Sequence, residues 1–92
     1  MTANVTRNAS RHRFETETDG QTAVLAYSQT GDRLALTHTE VPHPLSGKGV
    51  GSALVRFALD YAREHNLRVV PDCPFVARFI ERHREYADLV AR

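Results

Sequence analysis

Two hydrophobic periods divide the chain. Between residues 12 and 41 apolar and polar positions alternate, so that "HRFETET", "QTAVLAYSQT" and "RLALTHTEV" each read as a strand with one face toward a core. Asp19-Gly20 and Gly31-Asp32 stand between these runs, and both dipeptides suit the tight turns of an antiparallel meander. From residue 50 the period becomes helical. Val50, Ala53, Leu54, Phe57, Ala58, Tyr61 and Ala62 recur at the spacing an amphipathic helix buries. Arg56, Asp60, Arg63 and Glu64 take the opposite face, and Asn66 suits the left-handed residue that closes a helix. "LRVV" then predicts a short strand ended by Pro71, and Pro74 suits the first turn of a second helix carrying Phe75, Val76, Phe79 and Ile80. Tyr86, Leu89 and Val90 add a last helical turn or two, packing back on the domain. The opening "MTANVTRNASR" is polar and aperiodic, which predicts a disordered stretch over 1–11 ahead of one domain spanning 12–92. The order β-β-β-α-β-α describes an α/β (α+β) chain in which an antiparallel meander joins a parallel β-α-β unit. Such a crossover is right-handed and places ligands at the carboxyl ends of its strands.

Composition narrows what the fold can do. Ninety-two residues allow one small domain, and 12 Lys and Arg against 11 Asp and Glu leave a formal charge of +1. That balance gives no electrostatic reason to expect nucleic acid or a membrane surface as partner. One cysteine excludes an internal disulfide, and no early apolar run reads as a signal peptide, so the expected setting is the cytoplasm. Five scattered histidines and a lone cysteine lack metal-ligand spacing, so no metal is expected.

The chemistry concentrates in "PLSGKGVGS", residues 44–52, at the mouth of the first helix. It is not a phosphate-binding Walker loop, because Lys48 is followed by Gly49 rather than Ser or Thr. It is not a dinucleotide fingerprint either, because Ser52 stands where the third glycine belongs. What remains is a strand, a Pro-containing turn, and glycines that leave backbone N–H groups bare at the positive end of a helix. Pyrophosphate is the natural anion for such a cradle. A tight strand-to-helix turn is the plainer use of the same residues.

"HTEVPHPLSGKGVGSALVRFAL" together with "VVPDCPFVARFIERHREY" resembles the short, single-domain branch of the GCN5-related N-acetyltransferase superfamily, from about Arg13 to the C-terminus. The superfamily's acetyl-CoA signature falls on Ser46, Gly47, Lys48, Gly49, Val50 and Gly51, and only Ser46 departs from it, lacking the long polar side chain of the first position. The resemblance implies that the strands ending near Val41 and Val70 run parallel and splay apart. Pantetheine would enter the gap and pair with the backbone of Thr39, Glu40 and Val41, while pyrophosphate would rest on the amides from Gly47 to Ser52. Lys48 either meets a phosphate or remains a solvated lysine. The expected activity is acetyl transfer from acetyl-CoA to an unidentified amine, a small molecule or a protein lysine, by a monomer or weak homodimer. A noncatalytic module that binds acetyl-CoA or CoA is the alternative.

The superfamily's usual base and proton-donating tyrosine have no clear counterpart here. Cys73 lies just after the strand that would flank the acetyl group, at a helix start where the dipole favours thiolate. His38 lies on the other flanking strand. A Cys73–His38 pair offers two routes: the thiolate takes the acetyl group and passes it on, or His38 serves as base for the incoming amine. Cys73 as inert core and His38 as an ordinary sheet histidine are the structural alternatives. The acceptor side is expected to be open, because the resemblance covers only the central part of a full superfamily domain.

Overall fold

The computed structural model describes residues 4–91. Its sheet has five strands in sequential spatial order: β1 (Thr6–Asn8), β2 (Arg13–Thr18), β3 (Gln21–Thr30), β4 (Arg33–Glu40) and β5 (Arg68–Pro71). All neighbours are antiparallel except β4 and β5, which run parallel across helix α1 (Val50–Glu64). Helix α2 (Pro74–Arg82) follows β5, and a 3-10 segment (Arg84–Leu89) brings the chain back to a parallel bridge between Val90 and Val69. The mixed α/β order and the turns at Asp19-Gly20 and Gly31 agree with the sequence periods. Asp19 and Gly20 both take positive φ, as a two-residue hairpin demands.

Phe14, Leu25, Leu34, Leu36 and Val69 put the inner sheet face into one core with Leu54, Val55, Ala58 and Leu59 of α1 and Val76, Phe79 and Ile80 of α2. The buried flank of α1 is rotated from the expected stripe. Val55 and Leu59 are fully buried, whereas Phe57 is 38% exposed and Tyr61 is half-buried. The C-terminal segment causes the rotation. It lies against the flank bearing Arg56, Asp60 and Arg63, so the residues beside those polar groups are covered as well.

The expected disorder over 1–11 does not hold for the described part of that stretch. Thr6–Asn8 pairs with Asn8↔Arg13 and Thr6↔Glu15 at the edge of the sheet. A polar strand persists there because Arg7 stacks its guanidinium 5.0 Å above the Tyr61 ring and donates to the Tyr27 hydroxyl at 3.1 Å. No apolar period is needed for that contact. Residues 1–3 lie outside the described residues. No helix among the described residues is long and apolar enough to cross a membrane.

One irregularity bears on the site. Between β3 and β4 the register shifts, pairing Tyr27 with Leu36 but Ala26 with His38, so Thr37 is the extra residue of a bulge. Alternation from Leu34 and Leu36 would carry His38 to the inner face. The bulge brings Thr39 there instead, opposite Leu25.

Candidate functional site

β4 and β5 part company halfway along β4. Their pairing ends at Leu36↔Pro71, and the last link across is the Cys73 N–H donating to the Leu36 carbonyl at 2.9 Å. β4 continues through Thr37–Glu40, bonded to β3 along one edge and unpaired along the other. The chain meanwhile turns away through Asp72 and Cys73 into α2. The result is a cleft of about 640 Å³ between the free edge of β4, the loop before α1 and the first turn of α2.

The loop is anchored before it is opened. Pro42 starts a 3-10 turn over His43–Leu45, and Leu45, 1% exposed, plugs it into the core. Leu45, Ser46 and Lys48 donate their amides back to Pro42, His43 and Leu45. Gly49, at φ +77°, is the N-cap of α1, and its carbonyl accepts from Ala53 at 3.0 Å. No side chain caps the helix, so the amides of its first turn have no protein acceptor. Gly51 serves a different purpose. A Cβ there would come within 3.0 Å of the Phe75 ring and 3.5 Å of Val41, so its missing side chain lets α2 close on the start of α1.

The cleft gathers most of the residues expected from sequence. His38, Thr39 and Val41 line one wall; Gly47, Gly49, Val50, Gly51 and Ser52 line the mouth; Cys73 lines the inner end. Two side chains lie elsewhere. Glu40 stands 3.6 Å from His38 Nε2, and the Lys48 ammonium is 4.0 Å from Asp19, and neither lines the cleft.

Cys73 is 6% exposed, and its Sγ lies 3.3 Å from the Thr39 hydroxyl. Burial pushes the thiol up, but the Thr39 hydroxyl and the amides of Val76, Phe75 and Thr39 outweigh it and hold the thiol below its ordinary value. The first turn of α2 thus does what a helix N-terminus does for a thiolate. The expected partner is corrected, however. Thr39, not His38, meets Cys73, because the bulge at Thr37 exchanges their faces. The His38 side chain is 66% exposed beside Glu40.

Three features escaped the sequence reading. The Thr39 side chain was masked by the unforeseen bulge. Phe75, assigned to the helix stripe, forms a cleft wall. Arg78, one turn after Pro74 on the same helix face, also lines the cleft; its spacing from Pro74 was the available signal. Tyr86 packs as expected, donating to Asp60 at 2.9 Å and accepting from Arg56 at 3.3 Å, and it forms no part of the cleft. Among the described residues no cluster of three or more His, Cys, Asp or Glu could hold a metal.

Comparison with known proteins places this geometry. A family model described as GCN5-related N-acetyl-transferase matches residues 13–89. The NATD1 protein of Bos taurus is 34% identical over 80 residues, covering 84% of this chain and 71% of its own length. The NATD1 protein of Homo sapiens is 31% identical over the same shares of each chain. Among solved structures, a GCN5-like protein from Staphylococcus aureus superimposes with a TM-score of 0.76 at 25% identity, covering 98% of this chain and 89% of that one.

Proposed function

This chain belongs to the GCN5-related N-acetyltransferase family, and on that premise we propose that it binds acetyl-CoA in the cleft beside β4 and transfers the acetyl group to an amine. One observation carries the reading: a free strand edge, Thr37–Glu40, runs between an uncapped helix N-terminus and a hydrogen-bonded thiol. Pantetheine is a chain of two amides, and an unpaired edge supplies the complementary N–H and C=O groups. The pyrophosphate fits the free amides of α1's first turn, where the dipole favours negative charge. With those two parts seated, the thioester falls near Cys73.

The thiolate of Cys73 attacks the thioester carbonyl, a bond forms from Sγ to the acetyl carbon, and CoA leaves as its thiolate. An amine then attacks the acetyl-cysteine, loses its proton to a base, and releases Sγ. The Thr39 hydroxyl, 3.3 Å from Sγ, is placed to donate to the thiolate as it attacks and as it leaves. His38, exposed on the cleft wall beside Glu40, is available to take the amine's proton. Direct attack of the amine on acetyl-CoA uses the same base and omits Cys73.

Incubation with acetyl-CoA, following intact mass and free thiol release, tests the covalent route. An acetyl adduct on Cys73 that an added amine removes is the expected result. Turnover unchanged in Cys73→Ala leaves direct attack. CoA binding by calorimetry with no turnover against varied amines leaves a binding module.

A further inference from the structure

The cleft is one-sided in charge. The chain carries 11 Asp and Glu, yet among the described residues no carboxylate side chain lines the cleft. Among the described residues, Arg78 is the only Lys or Arg that lines it. Other arginines near the core are spent on protein partners: Arg7 on Tyr27, Arg56 on Tyr86, Arg63 and Arg68 on Asp88. Arg78 is exposed, and among the described residues it makes no hydrogen bond or ion pair.

Its position along α2 narrows what it serves. Cys73 caps the helix at the inner end of the cleft, and Phe75 rests against Gly51 at the start of α1. Arg78 follows Phe75 by three residues, so it lies on the same face about 4.5 Å further along the axis, away from the thiol. It lines the same cleft as Gly49–Ser52 at the start of α1, further along α2 than Cys73.

Resting on the acetyl-CoA reading, we infer that Arg78 is the specificity determinant for the 3′-phosphate of CoA. The ligand carries two separate anionic groups, and the cleft offers two separate anion-binding features. The amides of α1 suit the bridging pyrophosphate, whose charge is spread over two phosphoryl groups. The guanidinium fork suits a terminal phosphomonoester, a near-dianion at neutral pH, through paired N–H···O bonds. Arg78 thereby selects CoA thioesters over 3′-dephospho-CoA thioesters, which share every other recognised part.

The test is a calorimetric cycle at fixed salt, titrating CoA and 3′-dephospho-CoA into the parent protein and into Arg78→Gln. The parent should prefer CoA by at least tenfold. Arg78→Gln should lose that preference while binding 3′-dephospho-CoA as the parent does, with an unchanged melting temperature because the side chain has no partner among the described residues. Retained preference in the variant overturns the inference. Equal weakening toward both ligands also overturns it, assigning Arg78 to the pyrophosphate. So does unaltered cofactor preference with a raised KM for an acidic amine, which moves Arg78 to the acceptor. A parent that binds both ligands equally defeats the inference alone, and a parent that binds neither defeats the acetyl-CoA reading beneath it.

Discussion

At its C-terminal end, α1 is closed off by the chain's own groups. Asn66 adopts φ +57°, and Leu67 and Asn66 donate to the carbonyls of Ala62 and Arg63, the paired bonds of a Schellman cap. The returning segment completes that end. Arg63 grips both oxygens of Asp88 and the Glu85 carbonyl, and Tyr86 is held between Arg56 and Asp60. At its N-terminal end, Gly49 caps the same helix without a side chain, and the first amides face a cleft. The difference is a division of labour along one element. Groups that stabilise the fold find their partners within the chain, and the groups proposed here to hold a ligand are left without them.

That division predicts opposite outcomes for substitutions at the two ends. Tyr86→Ala empties a buried position and should cost about 3 kcal/mol, read by chemical denaturation, while CoA affinity holds wherever the protein is folded. Loss of CoA binding by the folded variant would mean that the two ends are coupled. Alkaline titration probes the same clamp more gently. Burial, and then Asp60, hold the Tyr86 hydroxyl above the ordinary phenol value. Its contribution is therefore complete below pH of about 10 and is lost as pH rises through the raised value. Tyr86→Phe should remove that step from an alkaline unfolding profile.

Gly49→Val reverses the pattern. A β-branched residue at φ +77° shifts the amides of the first turn, and CoA affinity should fall at least tenfold, about 1.4 kcal/mol. The melting temperature should fall less than in Tyr86→Ala. Unchanged affinity in a folded variant would remove pyrophosphate from this loop.

Thr39→Val isolates the inner end of the cleft. It keeps the shape and deletes the hydroxyl 3.3 Å from Cys73, so the thiol should titrate higher than in the parent. A pH series of iodoacetamide alkylation reads the midpoint, and a midpoint that does not move would place the effect on the amides of Phe75, Val76 and Thr39 rather than the hydroxyl. Pro74→Ala should be the mildest change. The residue opens α2, where an added N–H meets no helical acceptor in any case, and the loss should stay within about 1 kcal/mol. A larger loss in denaturant unfolding would show that the proline holds Cys73 in place.

Much of this was legible in the chain. The alternation of "QTAVLAYSQT" needs only neighbours two residues apart, and the helix after Gly49 needs only neighbours three and four apart, so a single sequence reveals both. The same holds for Asp19-Gly20, Asn66 and Pro74, whose backbone preferences are intrinsic to the residues. The glycine loop was legible as well, because bare amides at a helix start follow from composition and position. Four features depended on partners distant in sequence. The bulge at Thr37 is a mismatch between two strands, and it put Thr39 beside Cys73 in place of His38. The edge strand Thr6–Asn8 rests on Arg7 reaching Tyr27 and Tyr61. The burial of Val55 and Leu59 over Phe57 waits on the return of the C-terminal segment. Arg78 gains its place in the cleft from the approach of Phe75 to Gly51. Local periodicity sets which faces a segment can bury, because it is written into the backbone repeat. Register and docking set which face it does bury, because they are decided by residues the segment meets only after the chain has folded.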